Sequence, residues 1–144
     1  ETNKDVTRKY EKHVTLIDAE HFPPVVEGLF DVVEAGTARA AHVNGITLCG
    51  KTGTAQNPHG DNHSIFAGFA PEFKPKIAIA VIVENGGYGA EYAAPIASLI
   101  VEKYLNDTIQ TSRLPLEKKM IEGNLLSRYG VKTNKTAKMN LEGE

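Results

Sequence analysis

The first clear pattern of hydrophobic and polar positions lies between His21 and Gly36. Its apolar residues recur at intervals of about four, which places them on one face of a helix. They are Val25, Val26, Leu29, Phe30 and Val33. Pro23 and Pro24 suit the first turn of that helix, where a proline costs little. Gly36 is predicted to end the helix in a left-handed conformation.

Alternating and β-branched stretches then predict three strands, joined by short turn-forming links. They cover residues 46–56, 64–71 and 76–85, and a second helix follows over residues 92–107. The predicted apolar side of that helix comprises Tyr92, Ile96, Leu99, Ile100 and Tyr104. Links this short favour antiparallel neighbours, because a parallel crossover needs about a dozen residues. The predicted fold class is therefore α+β, an antiparallel sheet flanked by helices.

The two ends of the chain are more polar than its middle. A short strand is predicted from His13 to Asp18, after a charged opening stretch. From Asp107 onward seven Lys and Arg stand against five Asp and Glu. We therefore predict a main part, residues 1–106, and a polar tail, residues 107–144. The tail is expected to hold a short helix near residues 114–126 and to be partly disordered, chiefly beyond Ser127.

Composition narrows the classes of function. The 144 residues are 41% hydrophobic and 24% charged, which is ordinary for a globular domain. The net charge of -2 offers no basic surface, so no nucleic-acid partner is expected. No apolar run approaches the roughly 20 residues of a membrane span, and this piece is expected to be soluble. The chain begins at Glu1 without a methionine, so we interpret it as an excised piece. It has one cysteine, Cys49, and therefore no internal disulfide.

The stretch from Gly45 to Thr52 fits the phosphate-binding pattern G-x-x-x-x-G-K-[ST]. That motif needs a helix beginning at the lysine, whose amide groups cradle phosphate. Residues 46–49 prefer an extended chain instead, and glycine and proline soon follow Lys51 and oppose a helix. We therefore interpret the stretch as a strand and set nucleotide binding aside.

Lys51-Thr52-Gly53-Thr54 also fits the K-T-G motif of penicillin-recognising enzymes. On a strand, Lys51 and Gly53 share a face, and the glycine leaves room for a ligand to approach the backbone. The hydroxyls of Thr52 and Thr54 lie beside an ammonium. This combination suits the binding of a carboxylate, and of an acyl oxygen that becomes negative during reaction.

A wider resemblance supports this interpretation. The stretches GLFDVVEAGTARAA, CGKTGTAQ, FAGFAPE and IAIAVIVENGG stand in the order and spacing of a penicillin-binding protein transpeptidase domain. From Phe22 to Asn106 the chain resembles the C-terminal part of that domain. It is most similar to class B enzymes of the penicillin-binding protein 2 type. The resemblance implies the C-terminal portion of the penicillin-binding and β-lactamase-like transpeptidase fold.

The resemblance also implies a reaction and its residues. A serine attacks a D-alanyl-D-alanine stem peptide of peptidoglycan, and the acyl-enzyme passes to an amine of a neighbouring strand. Lys51 and Thr54 would be catalytic, the lysine by assisting proton movement and the Thr54 amide as an oxyanion donor. Thr52, Gly53, Thr54 and Gln56 would bind the peptide or a β-lactam. No metal or other cofactor is implied.

The resemblance places the parent enzyme in the bacterial inner membrane, with this domain on the periplasmic side, working with elongation-complex proteins. Its nucleophile belongs to an S-x-x-K motif, and none of the four serines of this chain has a lysine three residues later. We therefore expect the chain alone to be inactive. A non-catalytic β-lactam sensor and a serine β-lactamase relative stay open as alternatives.

Two remaining features bear on partners and metals. The two strands that complete the family's five-stranded sheet precede this stretch, so one side of the strand over residues 76–85 is expected to be open. An apolar open edge invites pairing with another chain, and self-association is our hypothesis. His59, Asp61 and His63 have a metal-like spacing, but a closed site needs a fourth ligand, and we predict no metal site.

Overall fold

The computed structural model describes residues 14–129. It contains three helices, α1 (Phe22–Glu34), α2 (Ala93–Asn106) and α3 (Leu114–Glu122), and three strands, β1 (Cys49–Ala55), β2 (His63–Ala70) and β3 (Ile77–Val83). Short 3-10 turns lie at Ala19–His21, Arg39–Ala41, Thr111–Arg113 and Leu126–Tyr129. The order along the chain is one helix, three strands and two helices, as the alternating and helical stretches predict.

The three strands form one antiparallel sheet in the order β1-β2-β3. Lys51 of β1 lies opposite Ala67 of β2, which lies opposite Ala80 of β3. Both links between strands are short, so each strand runs antiparallel beside the strand that precedes it. The predicted α+β class and antiparallel sheet are therefore confirmed.

Helix α1 is confirmed, with Val33 as its fully buried residue. The predicted apolar face is only partly covered, since Val25 is 59% exposed. Gly36 does not adopt the predicted left-handed conformation, because the positive-φ glycines of the described chain are Gly45 and Gly87. A Cβ at Gly36 would lie 2.8 Å from the Cα of Val32, so this position needs glycine for space.

Helix α2 packs on the sheet through small side chains. Its buried residues are Ala93, Ala94, Pro95, Ala97, Ser98, Leu99, Val101 and Glu102. The prediction was wrong for Ile100 and Tyr104, which are 47% and 59% exposed. Alanine lets the helix axis approach the strands closely, so the contact follows the small residues rather than the large ones.

The core lies between α2 and the sheet face that carries Phe66. Phe66 is fully buried, and its ring lies over two glycines that face each other across β1 and β2, Gly50 and Gly68. A Cβ at Gly50 would lie 2.3 Å from Cζ of Phe66, and one at Gly68 would lie 3.1 Å from the same atom. The two glycines therefore make the space that the ring fills.

The ends of the described chain differ from the prediction in one respect. The expected strand from His13 to Asp18 is wrong for residues 14–18, which pair with no strand and expose Val14, Leu16 and Ile17. His13 itself lies outside the described residues. The short helix predicted in the tail is confirmed as α3. The boundary at residue 106 stays a prediction, and the disorder expected near the C-terminus concerns residues that are almost all outside the described range.

A buried ion pair fastens the segment before α3 to α2. The carboxylate of Glu102 is fully buried, and Nη1 of Arg113 lies 3.2 Å from its Oε2. The same carboxylate accepts the backbone N–H of Gln110 at 3.1 Å, and Nη2 of Arg113 donates to Oγ of Ser98 at 2.6 Å. Burial lowers the pKa of the Arg113 guanidinium, and the neighbouring Glu102 opposes that shift.

Candidate active site

Residues 51–54 lie in the middle of β1, in an extended backbone. Lys51 and Thr54 are exposed, and Thr52 and Gly53 are half-buried. Since side chains alternate along a strand, Lys51 and Gly53 face one side of the sheet and the two threonines the other. No helix begins at Lys51, so this segment lacks the amide cradle of a phosphate-binding loop and the strand interpretation is confirmed.

Lys51 lines a shallow apolar groove of about 560 Å³ on the outer face of the sheet. Leu29 of α1, Phe69 of β2 and Ala78 and Ala80 of β3 contribute apolar walls. The Lys51 ammonium donates to the carbonyl of Thr52 at 2.9 Å, and it has no acidic side chain within 4.0 Å among residues 14–129. It is therefore a cation available to an incoming anion.

The free side of β1 exposes backbone groups to a ligand. β2 is the only strand that pairs with β1 among the described residues. An edge strand presents unpaired N–H and C=O groups that an extended peptide can use. Gly53 adds no side chain there, and the three atoms nearest to a Cβ built at this position, the closest at 3.3 Å, all belong to the side chain of Ile65.

Thr37 contacts the K-T-G strand, although its sequence context predicts no such contact. It follows α1, and its Oγ1 lies 2.9 Å from Oγ1 of Thr52. The two residues are 15 positions apart, and nothing in the periodicity of either segment signals the contact. The contact exists because the turn after α1 folds back against β1.

The connection between β3 and α2 supports the far end of β1 from the inner face. A Cβ at Gly89 would lie 2.7 Å from the carbonyl oxygen of Gly53 and 2.9 Å from Cβ of Thr52. Ser64, which pairs with Thr54 across the strands, donates to the carbonyl of Tyr88 at 2.8 Å. Gly89 and Ser64 therefore fix where the K-T-G strand runs, although neither was predicted.

The same connection is tied to the link between β1 and β2. Nδ2 of Asn57 donates to Oδ1 of Asn85 at 2.7 Å, and the backbone N–H of Asn85 donates to Nδ1 of His63 at 3.0 Å. Nδ1 of His63 is thus an acceptor in a structural hydrogen bond. Within the described range, no group of three or more His, Cys, Asp or Glu side chains is arranged to hold a metal ion.

Gln56 and Cys49 lie just beyond the two ends of the motif. Gln56 is exposed, directly after β1, where it can line the cleft. Cys49 is fully buried at the start of β1, and its pKa rises to about 11, mainly through burial and further through Glu72. A thiol with that pKa stays protonated at neutral pH, so Cys49 is a packing residue and not a nucleophile.

Residues 3–102 match the model of the penicillin binding protein transpeptidase domain. The chain is 37% identical over 94 residues to the peptidoglycan D,D-transpeptidase MrdA of Acinetobacter baumannii. That match covers 55% of this chain and 14% of the relative, so the chain spans about one seventh of its length. In the part of the chain that the structure describes, no helix is long and apolar enough to cross a membrane.

Two of the solved structures that resemble this chain in fold show how close the similarity is. One is Pseudomonas aeruginosa PBP2 in complex with WCK 5153, with a TM-score of 0.55 and 34% identity, covering 69% of this chain and 23% of that one. The other is the imipenem acyl-enzyme of penicillin-binding protein A from Mycobacterium tuberculosis, with a TM-score of 0.50 and 34% identity. It covers 57% of this chain and 18% of that one.

Proposed function

Because the chain belongs to the penicillin-binding protein transpeptidase domain family, we propose that it is the C-terminal part of a serine-type peptidoglycan D,D-transpeptidase. One observation carries the proposal. Lys51, Thr52, Gly53 and Thr54 lie on an edge strand, with the ammonium in a groove and unpaired by any acidic side chain of the described chain. The whole enzyme cross-links stem peptides of the cell wall by acyl transfer.

In this reaction a serine outside the 144 residues attacks the carbonyl of the terminal D-alanyl-D-alanine bond, and D-alanine leaves. The resulting ester then reacts with an amine of a neighbouring stem peptide, which restores the serine. Lys51 supplies positive potential and assists proton movement around that serine. The Thr54 N–H donates to the oxyanion, and loss of one such donor typically costs about 3 kcal/mol of transition-state stabilisation.

Substrate binding is assigned to the same strand. The hydroxyls of Thr52 and Thr54 bind the carboxylate of the donor peptide or of a β-lactam, and Lys51, whose side chain leaves the other face of β1, adds positive potential to the site. Gly53 lets the ligand backbone approach the strand, and Gln56 contacts it from the end of β1. A β-lactam occupies this site because its ring carbonyl and carboxylate present the same two groups.

The first test uses the chain alone. None of its serines has a lysine three residues later, so we expect no covalent adduct when it is incubated with a fluorescent penicillin and run on a denaturing gel. A labelled band would contradict this expectation. The second test uses the longer transpeptidase that contains this chain, which is expected to be labelled. A longer protein that contains S-x-x-K but takes up no label would refute the proposal.

The fate of the label separates the alternatives. A transpeptidase retains the penicilloyl group for longer than the assay, whereas a β-lactamase relative releases hydrolysed drug. A sensor retains the label but does not cross-link donor and acceptor peptides. We expect retained label together with cross-linked product.

We further propose that the whole enzyme is anchored in the bacterial inner membrane, with this domain in the periplasm, alongside proteins of the elongation complex. The family membership supports this assignment. Protease treatment of spheroplasts is the test, since an outward-facing domain is cleaved while the cells stay intact. Protection from the protease would contradict the proposed side.

We also propose that the separate chain self-associates through β3. Among the described residues β3 pairs only with β2, and its outer face exposes Ala78, Ala80 and Ile82. Ala80→Lys places a charge on this edge strand and is expected to lower the mass measured by light scattering at high concentration. Ala67→Lys, on the central strand β2, is the matched control. A strictly monomeric wild-type chain would refute the idea.

A further inference from the structure

Thr37 has no role in the proposed reaction, yet it contacts the K-T-G strand directly. Its hydroxyl oxygen lies 2.9 Å from that of Thr52, and either residue can be the donor. Thr37 belongs to the turn between α1 and the 3-10 turn at Arg39–Ala41. The contact therefore links two separate segments at the residue expected to bind a carboxylate.

The backbone around Thr37 is held in place on both sides. The N–H of Gly36 donates to the carbonyl of Asp31 at 3.1 Å, and the N–H of Ala38 donates to the carbonyl of Val32 at 3.0 Å. Ala38 is fully buried. Thr37 thus presents its hydroxyl from a fixed turn, although the side chain itself is exposed.

Thr52 is also confined by its neighbours. Its Cβ lies 2.9 Å from the place a Cβ would take at Gly89, and its carbonyl accepts the ammonium of Lys51 at 2.9 Å. The Thr52 hydroxyl can donate one hydrogen bond and can accept others through its lone pairs. If its proton goes to a carboxylate, the hydrogen bond between the two threonines requires Thr37 to be the donor.

We propose that Thr37 is a positioning residue, whose hydroxyl donates to Oγ1 of Thr52 and turns the Thr52 proton toward the carboxylate of the donor peptide or β-lactam. This inference rests on the proposed function, in which Thr52 binds that carboxylate. Thr37 does not touch the ligand. Two hydrogen bonds in series polarise each other, so the Thr52 hydroxyl becomes a better donor to the anion.

The test is Thr37→Val in the longer transpeptidase, a change that removes the hydroxyl and keeps the shape. Acylation by a fluorescent penicillin over a range of concentrations separates the dissociation constant of the first complex from the rate constant of acylation. We expect the dissociation constant to rise about three- to tenfold, the usual effect of one hydrogen bond. The rate constant should change less than about twofold, since Thr37 acts on carboxylate binding and not on the reacting carbonyl.

Three variants make the test specific. Thr37→Ser keeps the hydroxyl and is expected to bind like the wild type. Thr47→Val is the matched control, since the Thr47 hydroxyl accepts one hydrogen bond, from the N–H of Glu72 at 3.0 Å, before β1 begins. It should leave both constants unchanged. In a Thr52→Val background, Thr37→Val should have no further effect, because the residue through which it acts is gone.

The inference is overturned if Thr37→Val binds like the wild type, if Thr37→Ser is as weak as Thr37→Val, or if the effects of Thr37→Val and Thr52→Val add. The wild-type protein distinguishes this failure from failure of the proposed function. A wild type that is not acylated refutes both. If the wild type is acylated and Thr37→Val has the same dissociation constant, only the role of Thr37 is refuted.

Discussion

Arg113→Ala is expected to destabilise the chain by about 3 kcal/mol, since it strips a buried carboxylate of its counter-charge. Glu102 is 0% exposed in its side chain, and Arg113 is its ion-pair partner at 3.2 Å. Breaking a buried pair by removing one partner costs about 3–5 kcal/mol. We place this variant at the low end of that range because the Gln110 N–H still donates to the carboxylate at 3.1 Å.

Urea unfolding followed by circular dichroism measures this loss. With an m-value of about 2 kcal/mol per M, a loss of about 3 kcal/mol lowers the midpoint by about 1.5 M urea. Lys118→Ala is the matched control, because it breaks an ion pair with Glu122 at 3.8 Å whose side chains are 73% and 66% exposed. An exposed pair is worth about 0–1 kcal/mol, so that midpoint should hardly move.

A double variant separates the contribution of charge to stability from the contribution of packing. Glu102→Leu combined with Arg113→Met removes both charges and keeps much of the volume, so it should recover most of the lost stability. If Arg113→Ala unfolds at the same urea concentration as Lys118→Ala, the ion pair does not hold the segment before α3 on α2.

Three further predictions concern the interior. Phe66→Ala should cost about 3–5 kcal/mol in the same urea assay, since it empties the space over Gly50 and Gly68; a loss under about 1 kcal/mol would contradict this packing. Gly89→Ala should cost about 1–3 kcal/mol and shift the amide resonance of Gly53, whereas Gly28→Ala, with nothing within 4 Å of its Cβ, should do neither. Burial raises the pKa of Cys49 to about 11, above its unfolded value of 9.0, so the neutral thiol stabilises the fold fully below pH 9 and loses this contribution as pH rises toward 11. Cys49→Ala should therefore lose less stability than the wild type between those pH values, and equal pH profiles would contradict the burial effect.

The strands and the first helix could be predicted because each has one dominant period. β-branched residues around Lys51 favour an extended chain, and the glycine and proline that follow exclude a helix there. The short links then leave only an antiparallel sheet. The exposed lysine on β1 follows from this local information alone.

The contacts of α2 and of Thr37 could not be predicted from the sequence, for a different reason. Periodicity gives weight to large apolar residues such as Ile100 and Tyr104, whereas the close approach of α2 to the sheet selects alanines. The contact between Thr37 and Thr52 depends on how the turn after α1 folds back onto β1. Such contacts need the tertiary arrangement, since neither segment carries a local signal for them.

The most direct test of the account is the acylation rate of Lys51→Ala in the longer transpeptidase. We expect the rate to fall about a hundredfold or more, the usual effect of removing a group that stabilises charge in the transition state. Lys76→Ala, which removes another exposed lysine just before β3, should be acylated at the wild-type rate. If Lys51→Ala reacts with penicillin as fast as the wild type, β1 is not the strand at which acyl transfer takes place.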